Sequence, residues 1–139
     1  MRKAVDMAPD FADGHTYLGT ALAGMGRMDE AVAELQKAIA LSPASVEARF
    51  NLGLVLGLRG DFAGAVGAFQ KCVELSEGKD RRCLAALADA YDKTGRSAEA
   101  IQSAHQALDL AMQEHDEQLE KDLRGALERY EHHGAKAQP

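Results

Sequence analysis

The chain has 139 residues, of which 46% are apolar and 27% charged, with three prolines, two cysteines and no tryptophan, the makeup of one globular domain in which Ala, Leu and Glu favour helix over strand. Its net charge of -6 excludes the basic face that nucleic acid requires. No long apolar run follows Arg2 and Lys3, and "FNLGLVLGL" at 50–58 is broken by Asn51 and ended by Arg59, so neither a signal peptide nor a bilayer span is expected.

The first segment, "MRKAVDMAPD", reads as the last turns of a helix running into a proline. Ala4, Met7 and Pro9 return 34 residues later as Ala38, Leu41 and Pro43, so the chain is tested for internal repeats. The same shift aligns Leu18 with Leu52, Gly19 with Gly53, Gly26 with Gly60, Ala31 with Ala65 and Ala38 with Cys72. At a further shift of 35, Leu87, Ala88, Tyr91, Gly95, Ala100, Ala107 and Leu110 fill those columns, the extra residue falling in "SEGKD" at 76–80. Each copy holds two helical patterns divided by a glycine, the punctuation of a helical hairpin. The pattern predicts helices over 12–25, 28–41, 46–59, 62–75, 81–94 and 97–112. Gly19, Gly53 and Ala88 on the first helices, with Ala31, Ala65 and Ala100 on the second, let paired helices approach closely. A lone hairpin cannot bury its apolar faces, so the copies stack.

Within the middle copy, Gly57, Gly64 and Gly67 sit inside predicted helices, each at a cost of about 1 kcal/mol relative to alanine. Cys72 and Cys83 are too few for a disulfide framework or a zinc site and are expected as thiols, Cys72 occupying a column of small buried residues. The alternative is a bridge across the hairpin that joins their two helices. Beyond the last copy, Leu119, Leu123, Leu127 and Tyr130 form one stripe on a charged helix over 115–132, and 133–139 is expected to be a disordered tail.

These columns resemble the tetratricopeptide repeat family, whose pattern is W-x2-L-G-x2-Y, then A-x3-F, then P. The copies read His15-x2-Leu18-Gly19-x2-Leu22 with Ala31-x3-Leu35 and Pro43, then Arg49-x2-Leu52-Gly53-x2-Leu56 with Ala65-x3-Phe69, then Leu84-x2-Leu87-Ala88-x2-Tyr91 with Ala100-x3-Ala104. His15, Arg49 and Leu84 depart from the tryptophan column, and Glu77 and Met112 from the proline column. The resemblance implies an all-α, right-handed superhelical solenoid of antiparallel hairpins. Residues 1–9 would be the second helix of a truncated repeat, 12–45, 46–80 and 81–112 three repeats, and 115–132 a capping helix.

The resemblance also implies a non-enzymatic scaffold whose first helices line a concave groove. On the helix "VEARFNLGLVLGLRG", Leu52, Val55 and Leu56 serve the hairpin while Phe50, Leu54 and Leu58 make a second stripe toward that groove. Asp13, Thr16, Tyr17 and Thr20 are expected beside it from the first copy, Glu47 and Asn51 from the second, and Arg82, Ala85, Ala86, Asp89 and Asp92 from the third. The expected ligand is a peptide or amphipathic helix with an apolar anchor near Phe50 and Leu54 and a basic residue reaching Asp89 or Asp92. Relatives that clamp the carboxylate of chaperone tails use Lys and Asn, then Asn, then Lys and Arg where this chain has Thr16 and Thr20, Asn51, and Arg82 and Ala86; only Asn51 matches outright and Arg82 approximately, which argues against that ligand. The other readings are a regulatory or targeting segment of a larger enzyme, and self-association as a homodimer through the N-terminal edge.

No catalytic constellation is found. His15 and His105 lack ligand-spaced partners, His132 and His133 lie in the expected tail, and "GLRGDFAG" lacks the Lys-Ser/Thr of a phosphate loop. No cofactor, metal, nucleic acid or membrane is expected, and the compartment expected from the missing signal is the cytoplasm.

Overall fold

Three glycines close the hairpins. Gly26, Gly60 and Gly95 take φ of 80°, 84° and 80°, and the N–H that follows each one donates back to the preceding helix: Arg27 to Leu22, Asp61 to Leu56 and Arg96 to Tyr91, all at 2.9 Å. Only glycine adopts that left-handed backbone at no steric cost, so the column recurs. The computed structural model describes the backbone of residues 4–137 and the side-chain surroundings of residues 11–136. The described residues form an all-helical solenoid: α1 (Ala4–Gly24), α2 (Met28–Leu41), α3 (Val46–Leu58), α4 (Phe62–Leu75), α5 (Arg81–Lys93), α6 (Ser97–Gln113) and α7 (Glu117–Ala137).

Each helix packs on its neighbour in the chain, and first helices also meet across repeats, α1 with α3, α3 with α5 and α5 with α7. One core cluster joins Leu22, Ala31, Val32, Leu35 and Val55. A larger one runs from Ala65, Val66 and Phe69 through Leu84, Leu87 and Tyr91 to Leu123, Leu127 and Tyr130. Small columns make this possible: a Cβ on Gly19 would lie 2.7 Å from Leu35 Cγ, and one on Gly53 2.4 Å from Phe69 Cε1. Arg59 pairs with Asp29 at 3.3 Å, Arg82 with Glu47 at 3.1 Å, and Arg81 with Asp116 at 3.0 Å. Each pair links one repeat to the next segment; exposed pairs contribute about 0–1 kcal/mol each, so they fix register more than stability.

Three expectations are corrected. No helix boundary occurs at Pro9, because α1 runs unbroken from Ala4 to Gly24. Ser45 and Asp80 cap α3 and α5 by accepting from Ala48 N and Arg82 N. Phe11 stands in that column and offers no such cap, although α2 and α6 also begin without one. Residues 1–3 of the segment assigned to a truncated repeat lie outside the described residues.

The expected tail is helical as far as Ala137. It docks there: His133 Nδ1 lies 2.9 Å from Asp92 Oδ1, and a Cβ on Gly134 would lie 3.2 Å from Ser97 Cβ. Residues 138 and 139 lie outside the described residues.

Cys72 and Cys83 are bonded to each other, with Cα atoms 5.8 Å apart. Both are fully buried, one on α4 and one on α5. Ala38 and Ala48 hold the same two columns at the preceding junction and are equally buried. The small columns of consecutive repeats thus face each other, and where both hold cysteine a bridge can form.

Candidate functional site

The helix α3 explains its double apolar character. Ala48, Gly53 and Val55 are buried, whereas Leu54 is 42% and Leu58 69% exposed. Those two leucines form a ridge between clefts. On one side a cavity of about 410 Å³ is lined by Gly53, Gly57, Phe62, Ala65, Phe69, Ala86, Asp89 and Ala90 together with the ridge. On the other a cleft of about 230 Å³ runs along Thr20, Ala23 and Gly24 of α1 and Asn51 and Val55 of α3.

The larger cavity exists because its walls are short. Gly53, Gly57, Ala65, Ala86 and Ala90 contribute backbone or a methyl group, and a Cβ on Gly57 would meet nothing within 4 Å. Phe62 and Phe69 of α4 supply aromatic surface, and Asp89 of α5 is the one charged group in the lining.

Phe50 is placed differently from its stripe partners. Its half-buried ring lies 5.9 Å from that of Phe69, and the Arg82 guanidinium sits 4.7 Å above it. Arg82 is held there by Asp80 at 2.9 Å and Glu47 at 3.1 Å, carboxylates that raise its pKa above the usual arginine value. In return Arg82 holds the Asp80 carboxyl below the usual aspartate range. The expected anchor floor is therefore packed: Phe50 takes part in the core and a cation–π stack, and the cation expected to face the groove is already paired.

Two further expected groove residues are not open to a ligand. Thr16 is buried, and its hydroxyl donates to Ala12 O at 2.9 Å. Asp92 is covered by α7, its carboxylate bonded to His133. Asp89 remains exposed in the cavity wall but has Tyr130 beside it. Burial, then the Asp89 carboxylate, push the Tyr130 phenol up to about 12. Thr20 donates to Thr16 O at 3.0 Å while lining the smaller cleft with Asn51. Asp13 and Tyr17 are exposed on α1, Ala85 packs against the core, Ala86 lines the cavity, and Glu47 is committed to Arg82.

Sequence reasoning missed Gly57 and Phe62 as cavity walls and Tyr130 and His133 as neighbours of the groove carboxylates. The signal for Gly57 was present as a helix-interior glycine with no turn to make. His15, in the tryptophan column, lies 2.6 Å from Glu34 and holds that carboxyl below its usual range. Among the described residues no group of three or more His, Cys, Asp or Glu is arranged to hold a metal ion, and no helix is long and apolar enough to cross a membrane.

Among solved structures, the chain is similar to MamA, with 27% identity, 76% of this chain covered and a TM-score of 0.69. It spans 57% of that MamA chain. It also overlays the Yersinia enterocolitica type III secretion chaperone SycD in complex with a peptide of the translocator YopD, at 19% identity and a TM-score of 0.80, covering 88% of this chain and 93% of that one. The N-terminal domain of stress-induced protein-1 from C. elegans overlays with 23% identity and a TM-score of 0.73, covering 85% of this chain and 95% of that one. At these last two identities the likeness is one of fold. No curated protein matches the chain in sequence. Tetratricopeptide repeat profiles match residues 1–46, 16–80 and 83–118, and the chain belongs to the tetratricopeptide repeat family.

Proposed function

We propose that the chain is a protein-interaction scaffold that takes a peptide or amphipathic helix across the ridge of Leu54 and Leu58, seating an apolar anchor in the cavity between α3, α4 and α5. The observation that carries this reading is an open cavity of about 410 Å³ with two exposed leucines on its rim and a single charged wall residue, Asp89. Monomeric surfaces rarely leave such apolar concavity uncovered without a use for it. The peptide-bound state of the SycD structure supports the same use of the fold. An anchor of leucine or phenylalanine size suits the cavity, and a lysine or arginine one helical turn away suits Asp89. The affinity expected for such a groove is near micromolar, about -8 kcal/mol. The buried disulfide of Cys72 and Cys83 suits a compartment that preserves such bonds.

The test is titration of a panel of labelled helical peptides, followed by fluorescence anisotropy, against the chain and its Gly57→Phe variant. A Cβ at position 57 is unobstructed, so the phenyl group fills the cavity without unfolding α3. Peptides whose binding depends on an apolar anchor should lose it in Gly57→Phe at unchanged helicity. Equal binding by both proteins would sink the reading.

A further inference from the structure

Two columns of the repeat are basic in its first two copies and neutral in the third. One holds His15, Arg49 and Leu84 on the first helices, the other Lys37, Lys71 and Gln106 on the second. In the earlier copies these side chains meet acids and a carbonyl of the chain itself. His15 and Lys37 both reach Glu34, at 2.6 and 3.2 Å. Lys71 pairs with Glu74 at 3.2 Å, while Arg49 buries its Nε and brings a terminal nitrogen within 3.5 Å of Pro43 O, in the turn between α2 and α3.

The third copy keeps the acid and loses both cations. Asp109 stands in the column of Glu74 and is exposed. Of the basic residues between α4 and α5, Lys79 pairs with Glu77, Arg81 with Glu114 and Asp116, and Arg82 with Glu47 and Asp80, so that among the described residues no cation reaches Asp109. Leu84 is shorter than the Arg49 of its column, and beside it a cavity of about 270 Å³ opens between α4, the 76–80 loop, α5 and α6. Val73, Leu84 and Leu110 form its apolar walls, and Gln106 and Asp109 supply an amide and a carboxylate. Gly78 leaves the loop side bare, since a Cβ there would meet nothing within 4 Å. No residue of this lining is basic, and none belongs to either cleft beside Leu54 and Leu58. The space is smaller than a drug-sized ligand needs. It suits one long side chain whose aliphatic stem follows the apolar walls and whose planar cationic fork meets Asp109 and the Gln106 amide oxygen.

We propose that this cavity is a second docking site, separate from the groove, which takes an arginine side chain of a partner protein as the cation that the third repeat lacks. The chain's net charge of -6 favours the approach of such a basic partner. The probe is N-acetylarginine methylamide, an arginine with both backbone ends capped, titrated to about 50 mM into the full chain and followed by amide NMR shifts. Saturable shifts centred on Gly78, Leu84 and Asp109 are expected, with a dissociation constant of about 1–10 mM for a single side chain. Asp109→Asn removes the accepting charge, and Gln106→Lys rebuilds against Asp109 the spacing of Lys71 and Glu74; each should weaken binding about threefold to fivefold. Both positions are exposed, and circular dichroism checks the fold. Capped citrulline, alike in shape but uncharged, should bind more weakly by a similar factor. No saturation by about 50 mM, shifts scattered over the acidic surface, citrulline bound as well as arginine, or either variant binding as tightly as the parent chain would each overturn the proposal. Tighter binding of free arginine than of the capped form would overturn it too, because the site would then serve a small metabolite.

Discussion

Gly53 and Gly57 stand one turn apart on α3, line the same cavity, and should respond to alanine with opposite sign. In a helix interior the change itself gains about 1 kcal/mol, a figure that is an upper bound for Gly57, the second-last residue of α3. At Gly57 nothing opposes that gain, since the added methyl meets no atom within 4 Å. At Gly53 it would stand 2.4, 2.6 and 2.7 Å from Cε1, Cδ1 and Cζ of Phe69. Ordinary carbon contacts need about 3.5–4 Å, so the ring must retreat by about 1 Å. Phe69 is 4% exposed and has Phe50 against it, and overpacking of this kind costs about 1–3 kcal/mol. Gly57→Ala should therefore stabilise by up to about 1 kcal/mol and Gly53→Ala destabilise by up to about 2 kcal/mol. Urea unfolding followed at 222 nm measures both. Because the two sites share one helix, their comparison holds even if repeats unfold singly. The open direction for the Phe69 ring is the cavity it lines, so Gly53→Ala should weaken anchor binding as well. If Gly53→Ala matched or exceeded Gly57→Ala in stability, the close approach of α3 to α4 would be misjudged.

Leu54→Asp should keep helicity and shift the melting midpoint by no more than a few degrees, since Leu54 is 42% exposed, while abolishing anchored-peptide binding; collapse of the fold would put Leu54 in the core. Unfolded, unreduced protein should give no free thiols with iodoacetamide, and reduction should cost about 3 kcal/mol for the short loop closed between Cys72 and Cys83; two titratable thiols would refute the bridge. The Tyr130 phenol is protonated in the fold up to about 12, against an ordinary value near 10. Its contribution is intact below pH 10, and stability falls from there to about pH 12 as the unfolded state releases the proton first. Tyr130→Phe should flatten that fall, and parallel curves would refute the burial argument. His133→Ala should free Asp92 and tighten binding of lysine-bearing peptides up to about fivefold, the size of an exposed charge pair; unchanged affinity would show that Asp92 does not reach the ligand.

Where the sequence was legible, a column repeated. Gly26, Gly60 and Gly95 announce the turns because the left-handed backbone tolerates little else, and Gly53 announces close packing because Phe69 leaves no room. What was misread depended on relations between columns. Pro9 looked like a boundary on its own, but α1 runs through it from Ala4 to Gly24. Cys72 and Cys83 each read as small buried positions, and only the stacking of α4 on α5 makes them partners. Phe50 and Leu54 are equivalent in helical periodicity, yet Arg82, 32 residues beyond Phe50, covers one and leaves the other open. Residues 133–137 read as part of a disordered tail, and no local pattern revealed that His133 would meet a carboxylate on α5.

The last helix therefore has two physical consequences. Its stripe of Leu123, Leu127 and Tyr130 covers the face that α6 would otherwise expose. Its far end reaches back to α5, where His133 engages Asp92 and Tyr130 stands beside Asp89. Of the four carboxylates that the pattern sets near the groove, Asp92 is covered by α7 and Glu47 is held by Arg82. Asp13 lies on α1 outside both clefts, so Asp89 alone is left in the cavity wall. One element thus both covers α6 and trims the charge beside the cavity. If the cavity takes a peptide as proposed, an acidic surface has become an apolar slot with one charge at its edge, and the ligand it distinguishes is set by the shape of the anchor more than by net charge.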